Sequence, residues 1–242
     1  MTTEAELKRL IARSIADSNQ EPEFLRALLT ATLYVHLPLK RTTPKLHLVC
    51  FTRPDGLTVI PIFSDKRKAA KAAQGAVAIG SLTGRDLFMS APGATFMLDP
   101  NDISTTLYPE EIVALLNDGS AASAKRFTAD APMALSAALA EDLWLGELIA
   151  EAVKTIEPVA SVYFLQTHYA ESAEATGLLA CVVVPRGLAE RAARAAALVI
   201  AGCERQPRLP VDLTTCDPTD PSDWVMLAEL EPVWERQHGS AH

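Results

Sequence analysis

Residues 33–65, LYVHLPLKRTTPKLHLVCFTRPDGLTVIPIFSD, decide the fold of this chain. Leu33, Val35 and Leu37 alternate with Tyr34 and His36, which is the period of a strand with one face toward a core. Leu46–Phe51 and Leu57–Phe63 are apolar without alternation, predicting strands covered on both faces. Arg53-Pro54-Asp55-Gly56 joins them: proline presets φ at one corner, and glycine accepts the positive φ that closes a three-residue loop. Pro61 has no amide hydrogen for a ladder, so its strand is expected to be locally an edge or bulged. The block ends at Ser64 and Asp65, either of which can cap the helix predicted in KRKAAKAA, residues 66–73, by accepting from a first-turn amide.

Working outward, Leu7, Leu10, Ile11 and Ile15 recur at helical spacing, and Pro22 opens a second short helix with Phe24, Leu28 and Leu29. These helices should cover one face of the sheet. After the block come an expected strand at Ala76–Ile79, a short helix around Gly84–Met89 and a strand at Thr95–Leu98 stopped by Asp99-Pro100. Pro109-Glu110-Glu111 starts a helix with acids at its positive dipole end, and Gly119 closes it.

Residues 118–132, DGSAASAKRFTADAP, are small and polar without an apolar period, so the linker is placed at 121–132, between domains at 1–120 and 133–242. In the second half a helical stretch carries Leu139, Leu143, Ile149, Val153 and Ile156. Val159–Gln166 and Leu178–Val184 read as strands joined by a polar loop at residues 167–176. Pro185 opens an Ala/Arg-rich helix, Leu209–Leu213 makes a third strand, and a last helix is expected at about 223–230. The fold class is therefore α+β: an N-terminal mixed sheet flanked by helices, and a smaller C-terminal α-β-β-α-β domain.

The 242 residues suffice for two domains with cores of their own, and 49% hydrophobic with 21% charged residues is an ordinary globular balance. No apolar run approaches the ~20 residues that span a bilayer, and the N-terminus lacks a signal-peptide core, so a cytoplasmic protein with no membrane partner is expected. Net charge is −8, unevenly placed: residues 1–130 hold 15 Lys and Arg against 14 Asp and Glu, and residues 131–242 hold 7 against 16. The acidic second half would repel phosphates, which argues against nucleic acid.

Several short motifs recur in an order that resembles the SseB family, named for enhanced serine sensitivity. In the first half they are Leu33-Tyr34-Val35, Pro61-Ile62-Phe63-Ser64-Asp65 and Asp99-Pro100, with Ser64-Asp65 where the family has Thr-Ser and Asp99 where it has Asn. In the second half Glu157-Pro158, Pro210-Val211-Asp212 and Pro232-Val233-Trp234-Glu235-Arg236 are similar to the family's C-terminal domain. The resemblance spans about residues 20–237 and implies two SseB-type domains, but it carries over no reaction, cofactor or catalytic residue.

Candidate sites in the residues themselves are few. Lys66, Arg67, Lys68 and Lys71 sit at the start of a helix, where free amides and the dipole favour an anion or an acidic partner; a solvated helix face is the plainer reading. His168, Glu171 and Glu174 have donor types suited to zinc or manganese but sit in an expected loop, and Asp217, Asp220 and Asp223 lack the glycine and glutamate of a calcium loop. His36 and His47 read as packing residues on strands. Cys50, Cys181, Cys203 and Cys216 form no Cys-x-x-Cys pair and are expected to be reduced, with Cys50 and Cys181 acting as small hydrophobes. No nucleophile motif, phosphate loop or dinucleotide fingerprint occurs. The expectation is a non-catalytic module without cofactor that associates with a protein partner through sheet edges, helix faces or the interdomain cleft. The alternative is a sensor of a small molecule, an amino acid or metabolic anion, and an unrecognised enzyme is third.

Overall fold

The computed structural model describes residues 2–40, 46–73, 75, 77–122, 133–169, 175–220, 227 and 229–237. The chain divides into two compact units, Met1–Ser123 and Ala124–His242, each an α+β domain with a mixed sheet. Most of the expected linker at 121–132 lies outside the described residues.

In the first unit Thr3 caps α1 (Glu4–Ala16) by accepting from the Glu6 amide, and the helix buries Leu7, Leu10 and Ile11. Ile15, expected in the same stripe, is exposed. Pro22 lies in the first turn of α2 (Glu21–Leu28), which buries Phe24, Leu25 and Leu28. The chain then forms β1 (Thr32–Leu37), β2 (Phe51–Thr52), β3 (Thr58–Phe63), α3 (Lys66–Ala73) and β4 (Ala78–Thr83). It continues through α4 (Gly84–Ser90), β5 (Phe96–Leu98), β6 (Thr105–Leu107) and α5 (Pro109–Asn117). Strand order is β4-β1-β3-β5-β6, with β2 also pairing β3. β1 runs antiparallel to both β3 and β4, and β5 is parallel to β3, so β3, β4 and β5 point the same way. Helix α3 carries the chain from β3 across β1 to β4.

One face of this sheet presents Leu33, Val35, Leu37, Ile62, Phe96 and Leu98 to α1, α2, α4 and α5. Burying such side chains supplies about 1.5–3 kcal/mol each. The opposite face is covered by α3, where the Ala69 carbonyl meets His36 Nε2 at 2.9 Å and the His36 ring lies 4.7 Å from Phe63. Helix α4 starts against α2 so closely that a Cβ on Gly84 would lie 2.0 Å from the Leu28 carbonyl oxygen.

Three strand expectations are corrected. Of the run at 46–51 only Phe51 joins a ladder, and Leu46, Cys50 and Phe51 are exposed: this stretch is at the rim of the sheet, hydrogen-bonded to β1 through Val49 N to His36 O (3.0 Å). Cys50 is therefore not a buried hydrophobe. β3 is interior, flanked by β1 and β5. The Ile60 amide bonds toward β5, so by alternation Pro61 has its nitrogen on the other side, where the β1 ladder has stopped at Val35–Ile62. The strand expected at 76–79 occupies 78–83, and β6 adds a strand that Thr105-Thr106-Leu107, with a single apolar side chain, does not announce.

The second unit comprises β7 (Met133–Ala137), α6 (Leu143–Val153), β8 (Ser161–Tyr169), β9 (Gly177–Val183), α7 (Ala189–Gly202), β10 (Val211–Cys216) and β11 (Trp234–Glu235). The order is β10-β9-β8-β11 with β7 also on β8; β9 and β10 are parallel and the other pairs antiparallel. The α-β-β-α-β expectation thus lacked β7 and β11. Helices α6 and α7 pack on Val162, Phe164, Ala180 and Val182, while Tyr163, Leu165, Leu179, Cys181 and Val183 cluster on the other face with Cys216 and Leu227. Arg236 ties the terminal segment down, donating to the carbonyls of Val159 (2.8 Å) and Lys154 (2.7 Å). The helix expected at 223–230 lies mostly outside the described residues. Among the described residues no helix is long and apolar enough to cross a membrane.

Candidate functional site

β3 and β5 are parallel, so their C-terminal ends lie together, the place where open sheets with helical crossovers gather polar groups. Here β3 delivers Ser64 and Asp65, and β5 delivers Asp99. Asp99 is 1% exposed, and at φ 47° it adopts the left-handed turn conformation that Asn and Asp tolerate. Its carboxylate accepts from the Ser64 amide (2.9 Å), from the Ser64 hydroxyl (2.6 Å) and from Lys68 Nζ (2.6 Å). Lys68 also pairs with the exposed Asp102 at 2.9 Å. Asp65 caps α3, accepting from the Lys68 amide at 2.8 Å.

The capping expectation is thereby resolved between its two residues. Asp65 holds the helix start, and Ser64 bonds to the strand end thirty-five positions later. Burial pulls the Lys68 ammonium toward a lower pKa, but the hydrogen bonds and charges of Asp99 and Asp102 outweigh it and hold Lys68 above the ordinary lysine value. A lysine that keeps its proton cannot act as a base toward the neighbouring Ser64 hydroxyl, 3.2 Å away, at neutral pH. The hydroxyl itself is committed to Asp99 as donor.

This junction joins the two fragments, Phe63-Ser64-Asp65 and Asp99-Pro100, that sequence reading could only treat as separate turns. A model of the SseB protein N-terminal domain matches residues 7–114, nearly the whole of the first unit. Residues 7–114 are thus an SseB N-terminal domain. Comparisons with curated proteins and with solved structures give no match. In this SseB domain Asp99, where the resemblance expects Asn, is the carboxylate that Lys68 neutralises.

Of the four cations proposed from sequence, the structure commits Lys68 to this internal network, a use that spacing alone could not reveal. Lys66, Arg67 and Lys71 are exposed on α3, and among the described residues their side chains have no partner. His168 lies on β8 and not in a loop, with its Nε2 2.9 Å from Ser136 Oγ; Glu171 and Glu174 lie outside the described residues. Asp217 turns the chain after β10, accepting from Thr219 Oγ1 (2.7 Å), Thr219 N (2.9 Å) and Arg186 N (3.2 Å), and the bonds from Thr219 chiefly lower its pKa. Asp220 pairs with Arg186 at 3.3 Å, and Asp223 is outside the described residues. His36 is the buried packing residue expected; His47 is exposed. Cys181 and Cys216 are buried, with their sulfurs 3.1 Å apart.

The other element of the SseB domain with unused bonding capacity is β4. The Val49 amide reaches the His36 carbonyl, so His36 and, by alternation, Tyr34 turn their backbone groups toward β3, while Leu33, Val35 and Leu37 face β4. The register then makes Leu82, Gly80 and Ala78 the residues bonded to β1. Ile79 and Ser81 point their N–H and C=O groups away from the sheet, where no described residue receives them. A short cavity of about 290 Å³ lies elsewhere on this domain, lined by Thr3, Glu4, Leu7, Thr32 and Tyr34 among others.

Proposed function

We propose that this chain is a non-catalytic, cytoplasmic binding module of the SseB type that works through association with a protein, and that its second unit is the SseB family's C-terminal domain. The observation that supports association is the open edge of β4. It is six residues long, fully registered on β1, and contains no charge and no proline. Monomeric proteins ordinarily blunt such edges with lysine, proline or a bulge, and extended segments of other chains add to them through main-chain bonds. The polar cluster at the ends of β3 and β5 supports a non-catalytic reading, because Ser64, Lys68 and Asp99 already satisfy one another.

The test is quantitative affinity purification with wild-type and Ser81→Pro baits. Ser81 gives its amide to no described strand, so proline there should leave the fold intact while blocking an added strand. A protein set enriched by wild type and lost with Ser81→Pro is expected. Equal recovery by both baits, or nothing above a bait-free control, would overturn the reading.

A second reading, a small-molecule sensor, draws on the cavity at Thr3, Glu4 and Tyr34, whose size suits an amino acid more than a large cofactor. A thermal-shift series with amino acids and metabolic anions should raise the midpoint by mass action if it is right. Flat curves at millimolar ligand would sink it.

A further inference from the structure

The edge reading says that something extended pairs with β4, and the charges around that strand specify what. Resting on that reading, we infer that the occupant is an acidic segment of a partner protein, with carboxylates at alternate positions beside the cations of α3.

The geometry begins with Ile79 and Ser81. Their backbone groups face outward, and they stand opposite His36 and Tyr34, so their side chains share the face that α3 covers. In an added strand the residues opposite Ile79 and Ser81 would point to that same face, two positions apart. The elements packed against β4 are β1, α3 and α4. β1 carries no acidic or basic residue other than His36, whose ring is tied to Ala69. α3 contains no acidic residue, and its Lys66, Arg67 and Lys71 are exposed. α4 contributes exposed Arg85, which reaches the Leu116 carbonyl at 3.4 Å, and Asp86, whose carboxylate accepts from Thr83 Oγ1 at 2.6 Å. The other carboxylate nearby, Asp65, caps α3, and Lys68 is neutralised by Asp99 and Asp102.

Helix α3, which packs against β4, thus carries exposed cations and no acid of its own, while Asp65 and Asp86 are already engaged. A second copy of the same edge would bring like-charged α3 helices together, which favours an acidic partner over self-pairing. Main-chain bonds to β4 would give adhesion, and Lys66, Arg67 and Lys71 would select charge.

Amide hydrogen exchange on the full chain tests this with three short peptides: alternating glutamate and valine, alternating lysine and valine, and alternating serine and valine. The acidic peptide should slow exchange at Ile79 and Ser81 at low salt, lose this effect at high salt, and bind about tenfold more weakly to the double variant Lys66→Glu/Lys71→Glu. Ser81→Pro should abolish the protection with α1 and α5 amides unchanged. Equal protection by all three peptides would overturn the acidic preference while leaving the edge-binding function standing. Absence of protection by any peptide would overturn both the preference and strand addition at β4. Protection that appears without peptide and rises with protein concentration would mean that a second copy takes the edge, and would also overturn the proposal.

Discussion

Each unit buries a hydrogen-bonded carboxylate and contains a glycine through which a helix meets its neighbour, and the two units fill these roles with different kinds of partner. In the first, Asp99 accepts from the Ser64 backbone amide and hydroxyl as well as from Lys68, and Gly84 abuts the carbonyl of Leu28. In the second, Asp142, 2% exposed, takes its side-chain bonds from Arg208, at 3.2 and 2.7 Å, and Gly146 abuts the Phe164 side chain, where an added Cβ would come within 2.6 Å of its Cβ. The first unit is closed against backbone, which cannot yield without moving an element. The second is closed against side chains: the Arg208 guanidinium, which can repack, and Phe164 Cβ, which moves only with β8 but stands farther off than the Leu28 carbonyl oxygen does from Gly84.

The largest expected effect follows from that contrast. Gly84→Ala should cost about 3 kcal/mol or leave the first unit unfolded, because α2 and α4 must separate. Gly146→Ala should cost about 1–2 kcal/mol, because its closest approach is 2.6 Å where that of Gly84 is 2.0 Å, and a smaller shift of α6 from β8 relieves it. Chemical denaturation of each variant, followed by probes in each unit, measures both; equal losses would remove the distinction.

Next comes Asp99. Asp99→Ala strands the Ser64 amide and hydroxyl and leaves Lys68 with only Asp102, an expected loss of about 2–3 kcal/mol after allowing for the partial exposure of Lys68. Asp99→Asn keeps the turn and an acceptor for Ser64 but loses the charge, so about 1 kcal/mol is expected. A neutral Asp99→Asn would show that Ser64, and not the ion pair, is what Asp99 serves. In the second unit Arg208→Lys should give a smaller fall in melting temperature than either glycine variant, since lysine cannot make the paired contact to Asp142.

The smallest effect is a response to alkali. The Lys68 pKa is raised on folding, so its contribution is complete below the unfolded-state value of 10.5 and disappears as pH rises through the folded-state value. Arg208 keeps its charge through that range. Hydrogen exchange above pH 10 should therefore loosen α3 before α6, and a simultaneous response would contradict the assigned roles.

How much of this was readable beforehand depends on whether the deciding contact is local. The Arg53–Gly56 turn was legible because its geometry is fixed by proline and by a glycine that adopts φ 86°. The cap at Asp65 is also within three residues of what it caps. The rim position of residues 46–50 was not legible: Leu46, Leu48 and Val49 have strand composition, and only tertiary competition for the flank of β3 decides that β2 is two residues long. Ser64 and Lys68 presented the same difficulty, since their partner Asp99 comes from another strand. β7 escaped notice because Ala134, Ser136 and Ala137 give almost no hydrophobic contrast along Met133–Ala137, and its pairing with β8 is what makes it a strand. The open edge of β4 was invisible for a related reason, being a property of strand order.

The passage of α3 across β1 also bears on synthesis. β1 leaves the ribosome before either of the strands that flank it, and it pairs with neither through a tight turn: its ladder partners begin at Ile62 and Ala78. Until β4 has emerged, Leu33, Val35 and Leu37 have helices on one side and an incomplete sheet around them. Non-local pairing of this kind slows folding and lengthens exposure to other unfinished chains. The nascent protein therefore passes through an interval in which β1 lacks the strand on its β4 side, and a slower rate of elongation between residues 63 and 83 would prolong it.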